Sequence, residues 1–157
     1  MTVTPRRTSG STAMDDYLEQ ILHLIEAKGY ARAVDISKNL HISQASVTNM
    51  LRRLDTEGLV IHEKYRGITL TEEGRRIASA IIERHETLTR FLRLFGIHEE
   101  TIYHDVEGME HHISRPTLNV IRAVADALEA DPTLLEKIRK NSLQTRPILR
   151  SKNLPMA

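Results

Sequence analysis

The sequence predicts a mainly α chain, with an N-terminal unit of helices closed by one two-stranded hairpin and then an all-helical unit. Three observations lead there. Apolar residues recur at helical spacing in several separated segments, beginning with Leu18, Ile21, Leu22 and Ile25. One pair of short β-branched stretches, residues 59–64 and 68–71, flanks the turn Tyr65-Arg66-Gly67. After it, a long helical pattern carries Ile77, Ile81, Leu88, Phe91, Leu92 and Phe95.

Composition narrows the chemistry. With 157 residues and 40% hydrophobic content, the chain can bury a core in one or two small domains. It has no cysteine, which excludes disulfides, thiolate zinc sites and cysteine nucleophiles, so any metal must be held by oxygen and imidazole. No apolar run reaches the length of a membrane span, and the polar stretch 1–11 lacks the apolar core of a secretory signal; a cytoplasmic protein with no membrane partner is expected. The formal net charge of +1 excludes a uniformly basic, histone-like binder and leaves room for a local basic face.

Residues 1–12 hold Pro5, Arg6, Arg7, Ser9 and Gly10 without periodicity and read as a flexible arm. Residues 15–27 follow as a helix, with acids in the first turn, where the macrodipole favours them, and Gly29 beyond its end. Asp16 and Glu19 stand one turn apart on this helix, away from the Leu18/Ile25 stripe, with His23 a turn further; alone, the pair reads as a capping Asp and a solvated Glu. A short helix over 31–40 and a turn over 41–43 lead to a helix over 44–55. That helix has an inward stripe of Val47, Met50, Leu51 and Leu54, and Ser43 is placed to cap it.

This is a helix-turn-helix. Its second helix leaves Gln44, Ser46, Thr48, Asn49, Arg52 and Arg53 outside: short hydrogen-bonding side chains first, then paired arginines. Together with Ser43 at its start, that order suits a helix whose first turns meet base edges while basic residues reach phosphates. The hairpin is then a wing, with Lys64 and Arg66 at its tip placed for phosphate, although exposed tips carry basic residues without that task. Helix, helix-turn-helix and hairpin in this order predict a winged helix-turn-helix.

Thr71-Glu72-Glu73-Gly74 resembles a capping box with Gly74 tolerated in the first turn of the long helix, which holds His85 midway and ends at Gly96. A histidine so placed is more often structural than a ligand. After a short helical turn over 99–104 comes Asp105-Val-Glu-Gly-Met-Glu-His-His112, in which Glu107, Glu110 and His111 stand at i, i+3 and i+4, a metal-ligand spacing. By itself the octapeptide fits a solvated helix face equally well. Pro116 opens a helix to Leu128 whose Leu118, Ile121, Val124 and Leu128 are spaced for a dimer seam, though a plain core face has the same pattern. Asp131-Pro132 starts a last short helix. Beyond Glu136 the chain holds Lys137, Arg139, Lys140, Arg146, Arg150 and Lys152 with no acid, and reads as a loose basic tail. The expected division is an arm (1–12), a winged helix-turn-helix (13–75), a helical metal-binding and dimerisation domain (76–141) and a basic tail (142–157).

Across roughly residues 13–128, the segments Met14-Asp-Asp-Tyr-Leu-Glu-Gln-Ile21, Lys28-Gly-Tyr-Ala-Arg32, Glu63-Lys-Tyr-Arg-Gly67, Arg84-His85 and 105–112 resemble the manganese transport regulator branch of the diphtheria-toxin-repressor family. The resemblance implies a homodimeric, metal-activated transcriptional repressor that recognises a palindromic operator upstream of metal-uptake genes. It places the metal ligands on Asp16, Glu19, His85, Glu107, Glu110 and His111. The iron-sensing branch has methionine in place of Asp16 and cysteine in place of Glu110, and it appends a small β-barrel domain. The two ligand departures favour manganese, and the chain is too short for the appended domain.

Crowding Asp16, Glu19, Glu107 and Glu110 together would cost about 4 kcal/mol for each carboxylate pair ~4 Å apart at an effective dielectric near 20, so a cation belongs to such a design. Hard oxygen donors with imidazole suit Mn²⁺ or Fe²⁺, and four acids can bridge two ions per subunit. Asp16 and Glu19 precede the DNA-binding elements while the other four follow them, so metal would couple the two domains and fix the dimer in its DNA-competent arrangement. The expectation is a manganese-responsive repressor. The alternatives are an iron- or mixed-metal regulator of the same fold, a winged-helix regulator with merely superficial acids, and a binuclear metalloenzyme. The last is weakened because no histidine follows a glutamate by three residues and no nucleophile stands out.

Overall fold

The computed structural model describes residues 9–63 and 67–143. Among them are α1 (Ser9–Lys28), α2 (Ala33–Leu40), α3 (Gln44–Thr56), β1 (Val60–Glu63), β2 (Gly67–Leu70), α4 (Glu72–Leu94), α5 (Glu99–Glu110), α6 (Arg115–Ala130) and α7 (Pro132–Leu143). The arm up to residue 8, the wing-tip residues Lys64 and Arg66, and the tail with Arg146, Arg150 and Lys152 lie outside the described residues. The chain divides into two compact units after Glu86, inside α4, rather than near residue 75. The reason is visible along that helix: Ile77, Ala78, Ile81 and Ile82 belong to the first core, Leu88 and Leu92 to the second.

In the first unit, α1 buries Met14, Tyr17, Leu18, Ile21, Leu22 and Leu24 against Ile36 of α2 and Val47, Leu51 and Leu54 of α3. The helix starts at Ser9, inside the stretch expected to be an arm, since no proline interrupts the chain between Ser9 and the first apolar turn. α2 ends in His41, a non-glycine residue in the left-handed region at φ 55°, which turns the chain so that His41 N–H reaches Lys38 O and Ile42 N–H reaches Ser37 O. Ser43 Oγ then accepts Ser46 N–H at 3.2 Å and caps α3, as the sequence predicts. The wing pairs β1 and β2 antiparallel, with Val60 opposite Leu70 and His62 opposite Ile68. Ala31 joins its edge by two hydrogen bonds with Ile68, at 3.3 and 2.8 Å, tying the hairpin to the start of α2.

Thr71 Oγ1 accepts Gly74 N–H at 3.0 Å and donates to Gly58 O at 2.8 Å, which caps α4 and clasps the loop before the wing. The capping-box expectation is corrected at its other end: glycine at the third helical position has no side chain to reach back, and it is required rather than tolerated. A Cβ at Gly74 would lie 1.9 Å from Leu59 O.

In the second unit, Leu88, Ile102, Val106 and Leu118 form the core, with Leu92, Ile97, Ile113 and Ile121 around it. The two short pieces expected over 99–112 are one helix, α5. Arg93 grips Glu99 with two hydrogen bonds, at 2.7 and 2.8 Å, and Arg90 grips Glu129 and Asp126. Arg93 beside Glu99 holds that carboxyl below its ordinary range. Ser114 caps α6 just ahead of Pro116. The expected dimer seam is corrected, because Leu118 belongs to the unit's own core with Ile121 half-buried against it, and Leu128 is buried as well. The apolar stripe left outside is Val120, Ala123, Val124 and Ala127. The expected loose tail beyond Glu136 is helical to Leu143: Leu135 and Ile138 are half-buried, and Arg139 Nε donates to Leu94 O at the end of α4.

Two glycine replacements should therefore act in opposite directions. Gly74→Ala is expected to destabilise the protein by about 1–3 kcal/mol or more, through forced backbone displacement. Gly108→Ala, in α5 with nothing within 4 Å of the added carbon, should stabilise it by up to about 1 kcal/mol. Urea denaturation of both variants followed by circular dichroism checks the pair of signs.

Candidate metal centre and nucleic-acid interface

Ile102, Val106 and Glu110 recur every fourth residue on α5 and are its buried positions. Helical spacing thus drives a carboxylate into the apolar face, where Glu110 is only 4% exposed. That burial was not anticipated from the sequence, yet the spacing from Ile102 could have revealed it. A carboxylate so placed demands compensation by a cation or hydrogen bonds. Glu107, one turn earlier, is exposed, and His85 comes from α4, two residues before the second unit begins on the same unbroken helix. One ligand atom from each of His85, Glu107 and Glu110 falls within 4.8 Å of the other two.

His111, the cap residue of α5, keeps helical backbone angles and brings Nε2 to 3.5 Å from Glu110 Oε1. The structure thus gathers three of the six expected ligands into one group and sets a fourth against it. Oxygen and imidazole donors without sulfur fit a hard or borderline divalent cation such as Mn²⁺ or Fe²⁺. Asp16 and Glu19 stand a turn apart on α1 in the first unit and are not members of that three-residue group. Asp16 is exposed, and Glu19 Oε1 lies 3.5 Å from His23 Nε2.

All six polar residues named on α3 are exposed, and the structure separates them by what they already do. Ser43 and Ser46 are joined, Oγ to Oγ, at 2.9 Å in the cap. Thr48 Oγ1 donates to Gln44 O at 2.9 Å, and Arg53 Nε lies 3.4 Å from Glu57 Oε1. Gln44, Asn49 and Arg52 make no side-chain hydrogen bond or ion pair among the described residues, so their donors remain available to a partner. They emerge at i, i+5 and i+8, amide groups ahead of the guanidinium.

Comparison with known proteins adds to this geometry. Residues 11–68 match the family described as "Iron dependent repressor, N-terminal DNA binding domain", and residues 71–138 match "Iron dependent repressor, metal binding and dimerisation domain". The chain is similar to the HTH-type transcriptional regulator MntR of Bacillus subtilis (strain 168), at 47% identity over 76% of this chain and 84% of that one. A protein of the same name from Geobacillus thermodenitrificans (strain NG80-2) is 46% identical over 81% of this chain and 90% of its own. Among solved structures, the manganese regulator SloR superposes with a TM-score of 0.64 at 25% identity, covering 79% of this chain and 55% of that one. The chain spans about half the length of several of the solved structures it matches.

If His85, Glu107 and Glu110 share an ion, Mn²⁺ should raise the melting temperature of the protein. Saturation a hundredfold above Kd corresponds to about 2.7 kcal/mol of added stability. In Glu110→Gln and His85→Ala that rise should vanish while the metal-free fold persists, as read by calorimetry with and without Mn²⁺.

Proposed function

We propose, from the premise that the chain belongs to the iron dependent repressor family, that it represses metal-uptake genes in response to manganese. It is a helix-turn-helix transcriptional regulator with a DNA-binding domain and a metal-binding and dimerisation domain. The observation that carries the proposal is the convergence of His85, Glu107 and Glu110 in a chain whose α3 holds Gln44, Asn49 and Arg52 out to solvent.

In this reading Asp16, Glu19, His85, Glu107, Glu110 and His111 would hold the metal, two Mn²⁺ ions per subunit, with Fe²⁺ the alternative ion. The ions supply the positive charge that lets these acids share one site. Because Asp16 and Glu19 belong to the first unit and Glu107, Glu110 and His111 to the second, their common occupancy restrains one unit against the other. A bias of about 1–3 kcal/mol towards the DNA-competent arrangement is sufficient. Two copies pair through the Val120, Ala123, Val124 and Ala127 face of α6, a stripe of small apolar side chains exposed on a domain of the dimerising class. Half-sites of a palindromic operator then lie one helical turn, ~34 Å, or a multiple apart. Ser43, Ser46, Thr48 and Arg53 support the contact alongside Gln44, Asn49 and Arg52, with Lys64 and Arg66 of the wing on phosphate.

Among the described residues no helix is long and apolar enough to cross a membrane, which agrees with a cytoplasmic regulator. The protein is not an enzyme in this reading. Titration of DNA binding against Mn²⁺, Fe²⁺ and Zn²⁺, with phosphoester turnover assayed in parallel, tests the whole. Retention of DNA by Mn²⁺ without turnover is expected, and hydrolysis by the metal-loaded protein would replace the repressor with a metalloenzyme.

Two substitutions on α3 should separate base reading from phosphate contact. Asn49→Ala should cost about 1–3 kcal/mol on the operator and relax the preference at one base position. Arg52→Ala should weaken operator and random duplex alike. Equal losses for Asn49→Ala on both duplexes would remove it from the base readers.

Selectivity rests on Asp16. Exchanging its hard oxygen for a thioether in Asp16→Met should weaken activation by Mn²⁺ more than by Fe²⁺. Anaerobic DNA-binding titrations with each ion check this, and an unchanged preference would remove Asp16 as the determinant of selectivity.

A further inference from the structure

Between the outer side of α3 and the wing lies a recess of about 460 Å³, with Arg32, Thr48, Arg52, Asp55, His62 and Glu63 around its polar wall. We propose that this recess seats a backbone phosphate of duplex DNA, gripped by Arg32 and Arg52 with His62 on the facing strand. The proposal rests on the DNA-binding reading above and adds Arg32 and His62 to it.

The case begins with the position of Arg32. Its guanidinium carbon lies 4.7 Å from the centre of the Tyr30 ring, so the cation is stacked at a fixed place rather than swinging in solvent. Its neighbour Ala31 is hydrogen-bonded to Ile68, and Ile68 is the register partner of His62. Arg32 and His62 are thus held across one small sheet edge. That edge cannot drift, because Gly67 packs so closely that a Cβ there would be 2.5 Å from Ala31 O. Arg52 projects from the opposite wall and makes no ion pair among the described residues. Thr48 gives its hydroxyl proton to Gln44 O, so it has no donor to offer an anion, and the cations must hold it.

The two acids in the wall decide which phosphate the recess takes. Glu63 accepts the Thr69 hydroxyl at 3.4 Å, and Asp55 sits in the last turns of α3. Two arginines against two acids leave the wall formally neutral while His62 is neutral, so it exerts little long-range pull on a free anion. A phosphate carried in by a duplex already docked on α3 needs no such pull and meets the arginines at short range. The occupant is therefore a DNA phosphate rather than inorganic phosphate.

The experiment measures binding of the Mn²⁺-loaded full chain to a random-sequence duplex by fluorescence anisotropy over a range of KCl concentrations. Arg32→Gln should lower affinity and make the plot of log K against log salt shallower by about one unit per subunit. Arg32→Lys, which keeps the charge, should restore most of the slope, and Asp55→Asn should tighten binding. An unchanged slope in Arg32→Gln, with wild-type circular dichroism and Mn²⁺ binding, overturns the proposal. Replacing chloride by inorganic phosphate at equal ionic strength should displace DNA no better from wild type than from Arg32→Gln; selective displacement from wild type would make the recess a free-anion site and overturn it too. A wild type that binds no duplex with Mn²⁺ would overturn the repressor reading and the recess together, whereas a normal wild type with an unaltered variant overturns the recess alone.

Discussion

Glu107 and Glu110 bring two carboxylates and the imidazole of His85 within 4.8 Å of one another, with Glu110 buried on the apolar side of its helix. At an effective dielectric near 20, two such charges repel by about 3–4 kcal/mol before solvent screens the exposed partner. A buried carboxylate beside a second acid calls for compensation by hydrogen bonds or by positive charge. His111 at 3.5 Å from Glu110 offers some of it when protonated. A divalent cation offers more, and it is the ligand to which oxygen and imidazole donors are suited. The remaining features of the second unit serve that constraint: Ile102 and Val106 anchor α5, and the Arg93–Glu99 clasp fixes its first turn to the end of α4, the helix that carries His85.

The first unit is organised by backbone contact rather than charge. Gly74 against Leu59 O, Gly67 against Ala31 O and the left-handed turn at His41 set α3 between the helix that precedes it and the wing that follows. At the two glycines the contact leaves no room for a side chain. The consequence is a helix whose Gln44, Asn49 and Arg52 are presented to solvent from a fixed platform, as recognition of a duplex groove requires.

Most of the fold was legible because its determinants are local. The stripe Val47, Leu51 and Leu54, the cap at Ser43 and the β-branched hairpin all depend on residues within a few positions of each other. Ligand spacing in 107–111 was legible for the same reason, and the family resemblance picked out His85, which no local pattern could. What was missed depends on contacts distant in sequence. Gly74 reads as a permissive residue until Leu59 is placed beside it. The α6 stripe of Leu118 and Ile121 cannot be told from a dimer seam until the second core is seen to occupy it. The stretch beyond Glu136 looks like a charged tail unless Arg139 is known to meet Leu94 O.

If metal and DNA are thermodynamically coupled through one chain, linkage makes the coupling measurable from either side. Mn²⁺ affinity determined by calorimetry with and without saturating operator duplex is the most direct test. DNA should tighten Mn²⁺ binding by the same factor by which Mn²⁺ tightens DNA binding, about 5- to 150-fold for a coupling of about 1–3 kcal/mol. Mn²⁺ affinity that is identical in the presence and absence of DNA would contradict it.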